Sequence, residues 1–270
     1  MKLTIFCTSI YPYNLLNKLP KYIQPLGLGD KNFPNHWYVE KLGDNISHLN
    51  KHYGELTGMY WVWKNLMQNF EKNDLIGFCH YRKLWLNFFL NKKNKNSSKS
   101  IYSDLLKPEN KIFNKIDIIQ VHPINFKNKN LYQDFELVHK NNLLFESLNF
   151  LNEPLKSNFN KYLNKNLLYP LNMFIVKKTL FEEYCNVIFP WLEKCLNLCR
   201  QKNLLHNYNI RLPAFLAERF TSFWFSQFKN KALLSYARLG NFFLSEKVNI
   251  FFNPLKIPFT TRIYPTIHKY

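Results

Sequence analysis

Short apolar runs along the chain predict buried β-strands. They occupy residues 3–8, 75–79, 116–121 and 173–176, and polar or turn-forming residues border them. Runs of this length are typical of strands that are covered on both faces of a sheet. We therefore expect these segments to form the central strands of the fold.

Longer segments with apolar residues three and four positions apart predict helices. The clearest runs from Leu49 to Phe70, and others cover residues 132–151, 179–201 and 213–228. This spacing places the apolar side chains on one face of a helix. Strands that alternate with helices predict an α/β fold with a mainly parallel sheet.

Other segments lack this periodicity. Prolines and glycines punctuate residues 12–34, which predicts a long loop, and residues 91–100 contain no apolar side chain, which predicts a solvated loop. Three prolines predict an irregular tail after about residue 245. We expect a principal domain over residues 1–228 and a C-terminal extension over 229–270.

Composition narrows the class of protein. Of the 270 residues, 46% are hydrophobic and 17% aromatic, which excludes a disordered chain. The 37 Lys and Arg residues outnumber the 18 acidic residues, and the net charge of +19 favours an anionic partner. That partner is a nucleic acid, an anionic membrane face or a phosphate-bearing molecule, although codon drift in an AT-rich genome also enriches lysine. A nucleic-acid-binding protein is the weaker alternative, because the chain has no zinc finger, RRM signature or basic helix.

The chain carries no long apolar segment and no signal-peptide pattern. We expect a cytoplasmic protein that associates with the inner face of the membrane. Its five cysteines form no CxxC pair, which predicts reduced, buried thiols rather than disulfides or a zinc site.

Polar residues cluster around the start of the first long helix. The segment from Gly43 to Thr57 contains Asp44, Asn45, Ser47 and Glu55. Asp44 or Ser47 can cap the helix, but capping explains only one or two of these residues. A ligand with many hydroxyls, such as a nucleotide sugar, needs this many donors and acceptors.

The sequence His80-Tyr81-Arg82-Lys83 follows a predicted strand. Ligands of parallel α/β sheets bind beyond the carboxyl ends of the strands. Arginine binds phosphate oxygens with two parallel hydrogen bonds, and lysine adds a positive charge. His80 either ligates a metal or phosphate or is a hydrogen-bonded structural histidine.

The apolar segment from Pro213 to Phe220 contains Glu218 and Arg219. Such a pair is either a surface ion pair or, where it is partly buried, a source of a general base. Asn172 precedes the strand predicted at 173–176 and, taken alone, is a turn residue.

Taken in order, these segments resemble the DUF4422 family of capsular and exopolysaccharide glycosyltransferases, over about residues 3–227. The motifs that carry the resemblance are Pro25 to Gly29, Asp44-Asn45-Ile46-Ser47, Asn50, Tyr53, Glu55-Leu56-Thr57, Tyr60-Trp61, Trp63-Lys64-Asn65, Gly77 to Arg82, Asn172-Met173-Phe174-Ile175 and Leu216-Ala217-Glu218-Arg219. The resemblance implies a GT-A-like nucleotide-sugar-binding core, with helices flanking the sheet and a helical C-terminal part.

The resemblance also implies an activity. We expect transfer of a hexose, of galactose or galactofuranose type, from a UDP-linked donor to a growing capsular, lipooligosaccharide or O-antigen glycan. The extension over 229–270 is expected to contact the membrane surface or the acceptor. A non-catalytic sugar-binding or assembly subunit with the same fold is the alternative.

The resemblance also suggests roles for individual residues. The expected donor-binding residues are Thr8, Gly29, Asp44, Asn45, Ser47, Lys64, His80 and Arg82. Glu218 is the expected general base if the reaction inverts configuration, ahead of Asp44 and Glu55. The residues expected to bind or orient the acceptor are Tyr53, Glu55, Asn172 and Arg219.

The chain departs from the family pattern at several positions. Lys83 stands where the family often has arginine, and the segment after His139 lacks the usual aspartate. Many GT-A enzymes hold Mn²⁺ or Mg²⁺ with an Asp-x-Asp motif, but the residues after Asp117 are Ile-Ile. Either a metal binds differently here, or Arg82 and Lys83 stabilise the phosphates, and no metal ligands are assigned.

Overall fold

The computed structural model describes residues 1–87, 105–234, 236–239 and 259–260. The loop predicted at 91–100 lies outside these residues. Of the tail after residue 245, only 259–260 is described, and it forms a short strand. Within the described residues, no helix is both long and apolar enough to cross a membrane.

Strands build the centre of the fold. In chain order they are β1 (Leu3–Ser9), β2 (Ile23–Gly27), β3 (Tyr38–Val39), β4 (Leu75–His80), β5 (Lys83–Trp85), β6 (Ile118–Val121), β7 (Ile124–Asn125), β8 (Leu167–Leu168), β9 (Phe174–Lys177), β10 (Lys231–Leu234), β11 (Tyr236–Leu239) and β12 (Phe259–Thr260). The main sheet has the order β10-β6-β9-β4-β1-β2-β3. β5, β11 and β12 extend it beyond the end of β4, and β7 and β8 pair separately.

The main sheet is mostly parallel. β2 and β4 run parallel to β1, and β10 runs parallel to β6. β9 is the exception, because it lies antiparallel between β4 and β6. The residues that precede β9 therefore lie at the edge of the sheet where β1 and β4 end.

Helices cover mainly one face of the sheet. They are α1 (Asn50–Tyr53), α2 (Leu56–Leu66), α3 (Leu131–His139), α4 (Leu143–Ser147), α5 (Leu155–Leu163), α6 (Lys178–Gln201) and α7 (Leu212–Ser226). Side chains alternate along β1, so Phe6 joins the core under the helices, whereas Ile5 and Cys7 join a second core on the opposite face. The predicted α/β fold with a mainly parallel sheet and flanking helices is confirmed.

Some predicted element boundaries are wrong. The helix predicted from Leu49 to Phe70 is broken into α1 and α2 at Gly54, which has φ +57. The helix predicted over 132–151 ends at His139, because Lys140 adopts a left-handed conformation that terminates helices.

β2 lies within residues 12–34, which were predicted to be a loop. Pro25 obscured this strand in the sequence, since proline removes a backbone donor from a sheet. β3 pairs with β2 only at Leu26 and Gly27, so Pro25 has no partner residue in β3. The sheet also continues past residue 228 with β10, while the division at that residue stays a prediction.

Candidate active site

A cleft opens at the carboxyl ends of β1 and β4 and has a volume of about 470 Å³. Four parts of the chain meet there: the ends of these strands, the α1–α2 junction, the turn before β9 and the start of α7. The lining residues are Thr8, Ser9, Ile10, Leu28, Asn50, Lys51, Gly54, Glu55, His80, Tyr81, Arg82, Lys83, Leu171, Asn172, Arg211, Ala214, Phe215 and Glu218. We refer to this cavity as the cleft.

The turn before β9 is strained and is held from three sides. Leu171 has φ +80 and Asn172 has φ +49, which are uncommon for residues other than glycine. The Leu171 amide donates to Glu218 Oε1 at 2.6 Å, and the Leu171 carbonyl lies 2.8 Å from His80 Nε2. Strain of this kind persists only where surrounding contacts impose it, and it concentrates at functional sites.

The third contact fixes the side chain of Asn172. Its amide nitrogen donates to Glu55 Oε1 at 2.9 Å. The opposite amide orientation would place oxygen against the carboxylate, so Glu55 determines which way the amide points. Asn172 is buried, and its Oδ1 has no hydrogen-bond partner within the described part of the chain.

His80 is engaged through both ring nitrogens. Because the Leu171 carbonyl only accepts, Nε2 carries the proton in this contact. Nδ1 lies 3.3 Å from the hydroxyl of Thr8, the neighbouring residue across β1 and β4. Burial lowers the pKa of His80, which favours the neutral ring. These contacts match a structural histidine that positions the strained turn.

Four basic side chains line the cleft, against the two carboxylates of Glu55 and Glu218. The basic residues are Lys51, Arg82, Lys83 and Arg211. Arg82 is exposed, and its guanidinium lies 5.0 Å from the centre of the Tyr81 ring, which stacks on Tyr13. The cleft therefore has a net positive charge and suits an anionic ligand.

Arg211 was not identified from the sequence. Its side chain is 50% exposed, and Nη2 lies 3.6 Å from Glu55 Oε2. A Cβ on Gly54 would approach Nη2 to 2.6 Å, so the missing side chain of Gly54 makes room for the guanidinium. Only the fold brings these two residues together, and the one hint in the sequence is the position of Arg211 just before Pro213 at the start of α7.

Glu40 is a second residue that the sequence analysis did not single out. It is fully buried beside the cleft, and its Oε1 accepts from the Gly29 amide at 2.7 Å and from the Asn50 amide at 3.4 Å. Asn50 also bonds Thr57 Oγ1 and the Gly54 carbonyl. Burial raises the pKa of Glu40 to about 7. Glu40 thus ties the Gly29 loop to the α1–α2 junction.

Of the residues predicted to bind the donor, Thr8, His80 and Arg82 line the cleft. Gly29 lies beside it, with its amide occupied by Glu40. Asp44, Asn45 and Ser47 do not line the cleft; Asn45 bonds Ser47, and Asp44 bonds the middle and the end of α2. Among these bonds, Asn45 Oδ1 accepts from the Ser47 hydroxyl, and Asp44 accepts from Tyr60.

Lys64 and Tyr53 line a separate depression between α2 and α6. The Lys64 ammonium lies 3.8 Å from the centre of the Trp63 ring. Lys64 is therefore not brought together with His80 and Arg82, contrary to its predicted contact with the diphosphate.

Of the residues predicted to be catalytic or to bind or orient the acceptor, the cleft gathers Glu218, Glu55 and Asn172. Arg219 is buried instead and forms an ion pair with Asp134 at 2.9 Å. Its position next to Glu218 on a helix turns its side chain toward α3. Arg219 thus contributes to packing between helices rather than to the cleft.

The side chains present fit a divalent metal poorly. Across the described ranges, no three His, Cys, Asp or Glu side chains are grouped to hold an ion. In the cleft, Glu55 and Glu218 are already hydrogen-bonded to Asn172 and to the Leu171 amide. We assign no step of a reaction to a metal.

Comparison with solved structures places the fold. The chain is similar to the apo structure of WbbM, a bifunctional glycosyltransferase, with 22% sequence identity and a TM-score of 0.65. The match covers 89% of this chain and 46% of that one, so the chain spans about half the length of WbbM. The chain therefore shares the fold of part of a glycosyltransferase.

A family assignment follows from the sequence comparison. The model of DUF4422, described as a domain of unknown function, matches residues 8–231. The protein belongs to the DUF4422 family, as the resemblance predicted. Comparison with curated proteins gave no significant match.

Proposed function

We propose that the protein is a glycosyltransferase that moves a sugar from a nucleoside-diphosphate donor to a glycan acceptor. The observation that carries this proposal is the net positive cleft at the carboxyl ends of β1 and β4. Ligands of α/β sheets bind at such edges, and a diphosphate is the anionic group that a set of arginine and lysine side chains suits. The shared fold with part of WbbM supports the same class.

In the proposed complex, the nucleoside lies along Thr8, Ser9 and Asn50. The diphosphate lies among Arg82, Lys83 and Arg211, which all line the cleft. As the bond to the sugar breaks, negative charge grows on the leaving phosphate. Cations that are already in place stabilise that charge without reorganisation, which lowers the barrier.

Glu218 is the proposed general base for an inverting reaction. Its carboxylate lines the cleft, and Oε1 is fixed by the Leu171 amide. Oε2 lies 3.4 Å from Arg219 Nη1, a long contact that leaves this oxygen available to an acceptor hydroxyl. In a retaining reaction the same carboxylate orients the acceptor instead. Glu55 is bound by Asn172 and Arg211, which makes it the weaker choice for a base.

The finer assignment rests on the family resemblance. We propose a UDP-linked galactose or galactofuranose donor and a capsular, lipooligosaccharide or O-antigen acceptor that is lipid-linked. A cytoplasmic position on the inner membrane face follows from such an acceptor. Tyr208, 62% exposed, stacks on Phe215 of the cleft and places an apolar side chain near its opening. Failure of anionic liposomes to retain the protein at low salt would overturn this placement.

A thermal-shift screen against UDP-, GDP-, CMP- and dTDP-sugars, with and without Mn²⁺, tests the donor class. A ligand that binds only the folded protein raises the Tm. We expect one nucleotide to raise it selectively, and Arg211→Ala to weaken this effect, while Lys194→Ala on the exposed side of α6 retains it. No shift with any nucleotide would refute the proposed function.

Glu218→Gln separates a base from a positioning residue. The glutamine still accepts from the Leu171 amide but does not remove a proton. We expect donor binding to stay and turnover to fall by about 10²–10⁴-fold, the usual contribution of a general base. Full turnover in this variant would remove Glu218 from that role, and donor binding without turnover in the unmodified protein would favour a non-catalytic sugar-binding subunit.

A further inference from the structure

The depression between α2 and α6 has a cavity volume of about 460 Å³, comparable to that of the cleft. Aromatic side chains form its floor: Trp63 and Phe189 stack with ring centres 5.7 Å apart, and Tyr60 meets both edge-on. Exposed polar side chains border it, among them Glu193 and Arg200. We call this depression the outer pocket.

This combination suits one class of ligand. A sugar ring has apolar C–H faces that pack on an aromatic ring and hydroxyls at its perimeter that need donors and acceptors. Aromatic residues with a few convergent polar groups are typical of small-molecule sites. Arg200 donates, Glu193 accepts, and Asp44, which accepts from the Tyr60 hydroxyl, lies close by.

Two side chains contact the Trp63 ring. Phe189 packs nearly parallel to it, with ring centres 5.7 Å apart, and helps to fix the orientation of the indole. The exposed Lys64 ammonium lies over the ring at 3.8 Å. A cation–π contact at an exposed site is weak, and a lysine has a long flexible side chain. A sugar ring can therefore displace Lys64 without disturbing the core.

The outer pocket and the cleft are lined by residues of the same short segment. Asn50 and Lys51 of α1 line the cleft, whereas Leu49 and Tyr53 line the outer pocket. A helix with its side chains is about 10–12 Å across. An oligosaccharide of a few sugar units is long enough to cross α1 from one cavity to the other.

We propose that the outer pocket is an acceptor subsite that binds a sugar of the glycan several units from the reacting end. This inference rests on the proposed transferase activity and adds that the acceptor is an oligosaccharide rather than a monosaccharide. It also gives a role to the polar segment around Asp44, which lies apart from the cleft.

Binding to a glycan array tests the proposal. The array carries bacterial surface glycans as mono-, di-, tri- and hexasaccharides. We expect the unmodified protein to bind the longer glycans and not the monosaccharides. Trp63→Ala should weaken that binding by about tenfold or more, as is usual for a central aromatic anchor. Phe145→Ala, at an exposed aromatic residue of α4 that lines neither the cleft nor the outer pocket, is the matched control and should bind normally.

A second variant guards against misfolding, because Trp63 also packs on Phe189. The double variant Glu193→Ala/Arg200→Ala changes only exposed side chains and should weaken binding of the same glycans. The same preparations are tested for a thermal shift with the nucleotide sugars of the donor screen. Equal glycan binding by all variants, or no binding by the unmodified protein, overturns the acceptor subsite. Absence of a thermal shift with every one of these nucleotide sugars in the unmodified protein instead refutes the proposed transferase.

Discussion

Replacing Glu40 with glutamine should change how the stability of the protein depends on pH. Glu40 is fully buried, and its Oε2 has no partner within the described residues. Burial raises the pKa of this carboxyl from 4.5 to about 7. The folded protein therefore holds the proton more tightly than the unfolded chain, so stability falls as pH rises between these values and levels off above them.

The magnitude follows from the gap between the two pKa values. Each pKa difference of one corresponds to about 1.4 kcal/mol, so ionised Glu40 costs about 3 kcal/mol of folding free energy. Between about pH 5 and about pH 8, the change amounts to about 2–3 kcal/mol. Glutamine keeps an oxygen for the Gly29 amide and does not ionise. Any cost of its buried amide group is the same at both pH values and cancels from the comparison.

Urea denaturation of both proteins at the two pH values measures this difference. We expect the stability of Glu40→Gln relative to the unmodified protein to rise by about 2–3 kcal/mol from the lower to the higher pH, or by about 5–10 °C in Tm. Other titrating groups are common to both proteins and drop out of the comparison. A relative stability that stays constant with pH would refute the reasoning that Glu40 is protonated in the folded protein near neutrality.

Further substitutions test the position of Arg211 in the cleft and the buried ion pair of Arg219. Gly54→Ala should lower the free energy of unfolding by about 1–3 kcal/mol and weaken donor binding, because the new Cβ strains the backbone and displaces Arg211. The control Gly29→Ala, at φ +78 with no atom within 4 Å of the new Cβ, should lower stability but leave donor binding unchanged. Equal loss of donor binding in both variants would contradict the role given to Arg211. Asp134→Ala removes the 2.9 Å partner of the buried Arg219 and leaves the 3.4 Å contact with Glu218 as its remaining ion pair among the described residues. The substitution should cost about 3–5 kcal/mol in urea denaturation, whereas a loss below about 1 kcal/mol would show that the ion pair is unimportant.

The sequence predicted the central strands and much of the cleft because both depend on local patterns. Thr8 and His80 each stand at the end of an apolar run, and a parallel sheet brings the carboxyl ends of its strands to the same edge. Lys64 was misplaced for a reason that helix geometry explains: it lies nine positions after Glu55, which places the two side chains on roughly opposite faces of a helix. The same periodicity that places the apolar residues on one face of the helix therefore separates Lys64 from Glu55.

Other features depend on tertiary structure and had no local signal. Arg211 reaches the cleft because Gly54 leaves space for it, and these residues are distant in the chain. Glu40 follows a strand of only two residues, Tyr38–Val39, which no periodicity reveals. The antiparallel direction of β9 was likewise not predicted, although Asn172 just before it was identified as a site residue.

Residues as far apart in the sequence as Thr8 and Glu218 line the cleft, and this separation affects when the cleft forms during synthesis. β1 pairs with β4 across a long intervening segment, and such distant pairings form slowly, since a large loop must close first. During synthesis the amino-terminal strands emerge well before α7, so the cleft is complete only after α7 has left the ribosome. Until then the turn before β9 lacks the carboxylate of Glu218 that holds the Leu171 amide in the folded protein.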